Sequence, residues 1–214
     1  MNIALLTIFC TSFILALSGA LMPGPLLTVT VSESSRRGAL VGPMMIFGHS
    51  LLELVLVVAL LSGLAPILVR DDVFIFISLS GGAVLLWMGT TMLCSLSQLS
   101  LDDRPQDSKS RNLVLAGIVL SAANPYWLIW WASIGLGYIM YAMKFGLIGI
   151  AAFFLGHILA DLAWYSLISY GIAKGRRFFS DNLYRKLIGG CAVFLLVFSC
   201  WFLYGGINKT IHLA

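Results

Sequence analysis

Charge is what this chain has least of. Of its 214 residues only 10% are Asp, Glu, Lys or Arg, against 60% hydrophobic residues and a mean hydropathy of +0.98. A soluble domain carries roughly 25% charged residues, so the charge needed to cover a water-facing surface is missing. That shortfall excludes a soluble globular enzyme, a disordered chain and a nucleic-acid binder. No Walker sequence is present, which leaves ATP-driven transport by this chain unsupported. No Ser/His/Asp or Cys/His set marks catalysis, so the chain is read as a non-enzyme that needs no cofactor. Cys10, Cys94, Cys191 and Cys200 show neither CxxC nor metal-ligand spacing. All four lie in apolar segments, as small buried residues do, and not as a disulfide framework or zinc site would. The net charge of +4 sits in short loops, where it bears on membrane orientation and not on phosphate binding. What remains is an integral membrane protein in contact with a lipid bilayer.

A bilayer core takes about 20 apolar residues as helix. The charges cut the chain into six stretches at least that long, at 3–32, 39–69, 73–95, 113–143, 145–173 and 187–207. Runs such as Leu54–Leu61 lack the period-2 alternation of a transmembrane strand, so the spans are predicted as helices and the fold class as all-α. Residues 1–22 have no Lys or Arg ahead of the apolar run, which continues past Pro25. They are read as the first span and not as a removable leader.

Ten basic residues fall in the first, third and fifth loops: Arg36, Arg37, Arg104, Lys109, Arg111, Lys174, Arg176, Arg177, Arg185 and Lys186. Three, Arg70, Lys144 and Lys209, fall on the other side. The positive-inside rule then predicts a multi-pass cell-membrane protein with the odd loops in the cytoplasm and both termini outside. The strongly polar stretch 97–112 (SQLSLDDRPQDSKSRN) reads as a flexible cytoplasmic connector between residues 1–96 and 113–214.

Those two halves repeat. With a shift of 108 residues, Gly38, Gly48, His49, Glu53, Gly81 and Gly82 fall on Gly146, Gly156, His157, Asp161, Gly189 and Gly190. Matched glycines mean little in a Gly-rich chain, but matched His and carboxylates are rare inside membrane spans. Each half holds three helices, and an odd number forces the copies to cross the membrane in opposite senses. The expectation is therefore two inverted three-helix repeats, an arrangement of secondary transporters whose binding site lies near the midplane where the repeats meet.

His49 with Glu53, and His157 with Asp161, are i, i+4 pairs, each on one helix face a turn apart. Both carboxylates lie near the centres of apolar spans, where an Asp costs about 2.5–3.5 kcal/mol on insertion scales. No Lys or Arg inside a span is available to neutralise them. Such a group must face a water-filled cavity, hold a proton, or await a cation. Three readings stand open at this point. The carboxylates exchange a proton for a cationic group on a substrate, with the histidines as relays. They are interhelical hydrogen-bond glue. Or the two His and two carboxylates converge as a divalent-metal site.

Pro23-Gly24-Pro25 interrupts the first apolar run and Asn124-Pro125 the fourth. The first run has 32 uncharged residues, which as one straight helix would extend about 48 Å, well past a hydrocarbon core of about 30 Å. A broken, tilted or re-entrant segment is expected, lining a cavity or buried in protein. A half-helix starting near Pro25 would turn free N–H groups toward a carboxylate. The two breaks correspond at an offset of about 100, so residues are inserted between break and His motif in the second half. Trp127, Trp130, Trp131, Trp164 and Trp201 could line a substrate cavity, but placement at the membrane interface or facing lipid is the favoured expectation. Gly38-x3-Gly42 permits close helix contact, within the chain or in a homodimer.

Pro23-Gly24-Pro25 late in the first helix, a second helix beginning after Arg36-Arg37-Gly38, and Asn124-Pro125 in the fourth resemble the lysine exporter (LysE) family of translocators. The stretch PGPLLTVTVSESSRRGALVGPMMIFGHSLLE carries it most closely, and the resemblance extends over essentially the whole chain. It implies a small membrane exporter of amino acids or related metabolites driven by a proton or sodium gradient. It also implies that Pro23, Gly24, Pro25, Asn124 and Pro125 belong to the translocation core. The Gly48-His49…Glu53 element is a subgroup feature, and the wider superfamily includes heavy-metal exporters. The cargo thus stands open between an amino acid and a divalent cation, beside a membrane enzyme or structural subunit that transports nothing.

Overall fold

The computed structural model describes residues 2–68, 70–98, 112–175 and 180–213. Among them there is no strand. Helix α1 spans Asn2–Ala20, α2 Pro25–Arg37, α3 Val41–Ala59, α4 Ala65–Leu68 and α5 Asp71–Ser95. The second half continues with α6 Leu113–Ala122, α7 Pro125–Trp130, α8 Leu136–Met143, α9 Gly146–Gly175 and α10 Asp181–Leu213. Five helices among the described residues are long and apolar enough to cross a membrane, and six if α6 and the run from Pro125 to Met143 count as one span bent by 65°. The chain is an all-α, multi-pass membrane protein. Most of the proposed connector at 97–112, with Arg104, Lys109 and Arg111, lies outside the described residues, as do Arg176 and Arg177.

The first run is broken rather than tilted. It stops at Ala20, and α2 restarts at Pro25 and runs to Arg37, five residues past the expected end. Proline suits the first helical position because that N–H has no intrahelical partner. Gly38, at φ 91°, ends the helix where other residues are strained. Thr28, Thr30, Ser34 and Ser35 of α2 are buried, and each hydroxyl donates to a carbonyl of its own turn or of Gly24. This polar half-helix is tolerated because it is wrapped by protein and not by lipid.

A second kink has no counterpart in the expected spans. A wide turn at Leu60–Leu64 separates α3 from α4, with Gly63 at φ 110° inside it. Pro66, one turn on, cannot donate to the ladder and crowds the preceding turn. Several basic residues expected in loops lie within helices instead. Arg36 and Arg37 are in the last turn of α2, Lys174 is in the last turn of α9, and Arg185 and Lys186 lie inside α10. Cations at a helix C-terminus meet the negative end of its dipole, which favours extending α2 and α9 through them.

Helix pairing is reciprocal between the halves. The first helix of one half lies on the second helix of the other: α1 on α9, and α6 on α3. The third helices, α5 and α10, pair with each other. The first two pairs run parallel and the third antiparallel, and small residues set the close approaches. A Cβ on Gly156 would meet the Phe9 carbonyl, and one on Gly48 the Val114 carbonyl. Ser12 Oγ donates to the Phe153 carbonyl at 2.7 Å, and Gly117 lies against the Met45 carbonyl. Gly42 abuts Tyr165 and Ser169 of α9, so its small side serves packing within the chain. In the third pair, Ser199 Oγ donates to the Gly82 carbonyl at 2.8 Å, and Lys209 reaches Asp71 at 2.9 Å.

A cluster of Leu85, Leu195 and Phe202 joins α5 to α10, and two further apolar clusters flank the central helices. One gathers Leu26, Leu27 and Val31 of α2, Met45 and Ile46 of α3, Leu120 of α6 and Tyr165 of α9. The other gathers Ile8 of α1, Leu56 and Val57 of α3, Trp130, Trp131, and Phe153 of α9. On α3 the polar pair lies between Ile46 and Leu56; on α9 it lies between Phe153 and Tyr165. Outward faces stay apolar, with Ile3, Phe76, Trp87 and Leu147 among the exposed large side chains. That surface suits lipid, where exposure of apolar area costs nothing.

Candidate functional site

The four ionisable residues singled out in the spans converge between the two clusters. His49, Glu53, His157 and Asp161 are all buried, and one donor atom from each lies within 4.8 Å of the others. The i, i+4 spacing brings His49 Nε2 to 3.1 Å from Glu53 Oε1, and His157 Nε2 to 3.5 Å from Asp161 Oδ2. The antiparallel crossing of α3 and α9 adds the reciprocal pairs. His157 Nε2 is 3.1 Å from Glu53 Oε2, and His49 Nε2 is 3.4 Å from Asp161 Oδ2. Each carboxylate therefore faces the histidine of the other half as well as its own. The missing membrane-buried Lys or Arg is replaced by two imidazoles.

The surroundings of the two pairs differ. Trp127 and Trp131 each donate an indole N–H to Glu53 Oε1 at 2.9 Å. Asp161 Oδ2, with Glu53 Oε2, has no hydrogen-bond donor of its own. His49 Nδ1 is 2.7 Å from Ser121 Oγ, and that hydroxyl donates its single proton to the Gly117 carbonyl at 2.7 Å. Nδ1 of His49 is then the N–H donor, and Nε2 is the atom turned toward the carboxylates. His157 Nδ1 has no partner; its ring lies against Trp130, Trp131 and Phe153.

Beside the four residues lies a void of about 540 Å³, counting its open mouth. It joins the cluster to both helix breaks, for Gly24 and Asn124 line it along with Ser121, Trp127, Trp130 and Tyr165. The breaks also touch each other: a Cβ on Gly24 would sit 3.3 Å from the Asn124 side-chain nitrogen. Gly24 caps α2 in extended conformation with no side-chain acceptor, leaving the first N–H groups of that half-helix open. Asn124 instead caps α7 itself, accepting from the Tyr126 N–H at 3.1 Å. Pro23 lines only a smaller adjoining pocket; Pro25 and Pro125 are buried as first-turn residues, Pro125 against Gly81.

The indoles correct the expectation of interfacial tryptophans. Trp131 is fully buried, Trp130 is 5% exposed, and Trp127 lines the cavity. Only Trp201, 61% exposed, lies on the outer surface as expected, while Trp164 packs half-buried against the first apolar cluster. The signal was present: residues 127, 130 and 131 share one face of the helix that starts at the Asn124-Pro125 break. Ser121, one turn before that break, carries no signal in the sequence that marks it as the partner of His49.

The segments after the two breaks differ in length. Between break and turn α2 has 13 residues, whereas the second half runs from Pro125 to Met143 through a wide turn at Trp131–Gly135. Trp127, two residues after Pro125, and Trp131, where the wide turn starts, supply both indole donors to Glu53.

No curated protein and no solved structure matches the chain. A family model for LysE type translocators matches residues 17–206, a stretch that takes in both helix breaks and all four clustered residues. With helices that span, breaks in the corresponding places and a match over most of its length, the chain belongs to the LysE type translocator family.

Proposed function

We propose that this protein is a secondary active exporter of amino acids or related small metabolites. Its family is one of membrane exporters of amino acids and small molecules; the cargo class, the coupling and the working parts are our reading. The observation that carries it is the single cavity that connects both helix breaks to a buried cluster of two carboxylates and two histidines. Residues 1–96 and 113–214 act as two inverted repeats, a reading supported by the reciprocal parallel pairing of α1 with α9 and α6 with α3. The repeats rock around the cavity, opening it alternately to each face.

A zwitterionic substrate fits the two ends of the chamber. Its carboxylate meets the uncapped N–H groups at the start of α2, and its ammonium group meets Glu53 and Asp161. Protons arriving from outside displace the ammonium group, with His49 and His157 passing them to the carboxylates. In the plasma membrane, the ten basic residues on the odd loops and helix ends orient the chain with both termini outside.

Counterflow in proteoliposomes across amino acids and divalent cations tests this directly, with Glu53→Gln and Asp161→Asn in parallel. Amino-acid flux that a pH gradient accelerates, and that both substitutions abolish, is the expected result. Flux unchanged in both variants would end carboxylate coupling, and no flux of any solute would end the exporter reading.

A further inference from the structure

We infer that His49, Glu53, His157 and Asp161 form a binding site for one four-coordinate divalent d-block cation of the zinc class. The inference deepens the proposed function by naming an ion that the central cluster accepts. It rests on that reading only for the ion's route through the chamber. Binding itself follows from the spacing of the donor atoms.

Metal–ligand bonds of about 2.0–2.1 Å in a tetrahedron place neighbouring donors about 3.3–3.4 Å apart. With Oε2 as the Glu53 ligand, His157 Nε2 lies 3.1 Å from it, His49 and His157 Nε2 lie 3.4 and 3.5 Å from Asp161 Oδ2, and one donor atom from each residue lies within 4.8 Å of the others. A tetrahedral ion therefore needs little rearrangement. Two carboxylate oxygens, Glu53 Oε2 and Asp161 Oδ2, are buried without a hydrogen-bond donor. A buried acceptor left this way is costly, and a cation at the centre satisfies both.

The supporting atoms are arranged for ligation. Ser121 takes the Nδ1–H of His49 and so directs Nε2 inward, as the outer partner of a metal-bound histidine does. The indoles of Trp127 and Trp131 hold Glu53 Oε1 and leave Oε2 for the centre. Two imidazoles in a set of four favour the zinc class over Mg²⁺ or Ca²⁺, which require six or more oxygen donors. The cavity mouth provides the entry path.

The test is Co²⁺ binding to the full-length chain, purified without an affinity tag and held in detergent, followed by visible absorption and by calorimetry. One Co²⁺ per chain with the intense absorption of four-coordinate geometry, displaced by Zn²⁺ and not by Mg²⁺, is expected. Asp161→Asn keeps the shape of the side chain and removes a ligand charge; it weakens binding at least about tenfold. Ser121→Ala leaves all four ligands in place and weakens it about 10–100-fold through loss of the outer partner. A weak six-coordinate spectrum, no binding, or equal affinity in the wild type and both variants would overturn the site. Counterflow separates this from the exporter reading. Amino-acid flux with no Co²⁺ bound defeats the metal site alone, and tight Co²⁺ binding without flux of any solute defeats the exporter alone.

Discussion

The central helices of the two halves, α3 and α9, carry the same Gly-His-x3-acid motif and are held differently. On α3, Glu53 accepts two indole N–H groups and His49 is fixed by Ser121. On α9, Asp161 Oδ2 has no hydrogen-bond donor, and His157 has aromatic rings against its face but nothing on Nδ1. One acid is anchored and the other is comparatively free. The difference has a source in the chain: the helix after the Asn124-Pro125 break carries Trp127 and Trp131, which reach the acid of the first half, where the helix after Pro25 has Leu27 and Val31. The matched motif places the ligands, and the two tryptophans make them unequal.

The comparison breaks first at the acids. Glu53→Ala leaves two indoles and His157 without their partner and should lower stability by about 3–5 kcal/mol, the usual cost of removing one member of a buried charged pair. Asp161→Ala should cost clearly less, and equal losses in thermal unfolding would refute the asymmetry. Trp131→Phe keeps the ring and deletes one hydrogen bond to a charged acceptor, an effect of about 1.5–3 kcal/mol. Trp127→Phe, at the cavity wall, should have a smaller one.

Where the halves agree, matched substitutions should act alike. Gly48→Ala and Gly156→Ala each force a methyl group against a carbonyl of the neighbouring helix, and each should destabilise by about 1–3 kcal/mol. Melting temperatures that fall for one and not the other would undo the reciprocal packing. The smallest effect sharpens the contrast. Phe9 and Ser12 correspond to Val114 and Gly117 in these contacts, and the same register sets Ala16 opposite Ser121. Ala16→Ser should give His157 the partner it lacks and raise stability by about 0.5–1.5 kcal/mol.

Much of this was legible in the chain. The spans followed from hydropathy, and the breaks followed from Pro23-Gly24-Pro25 and Asn124-Pro125, because proline ends a helical ladder wherever it stands. The acid and histidine pairs stood out because ionisable groups are rare in apolar runs. Other features were not legible. The kink at Gly63 looked like more apolar helix, since glycine signals a positive φ only when the backbone adopts one. The tryptophans pointed to a membrane interface because composition cannot tell an indole facing headgroups from one donating to a buried acid. Gly42 suited either packing within the chain or pairing of chains, and only the position of Tyr165 decided between them.

What the sequence determined by itself is local and one-dimensional: which segments are too apolar for water, where a ladder must break, and which side chains share a helix face at i, i+4. The tertiary structure alone decided which half supplies the second partner of each group. His49 with Asp161, His157 with Glu53 and both indoles on one carboxylate all depend on the crossing of α3 with α9 and on the placement of the helix after the Asn124-Pro125 break. Helical periodicity fixes distances along one axis, whereas distances between axes come from packing. The chemistry of this chamber is set by the latter.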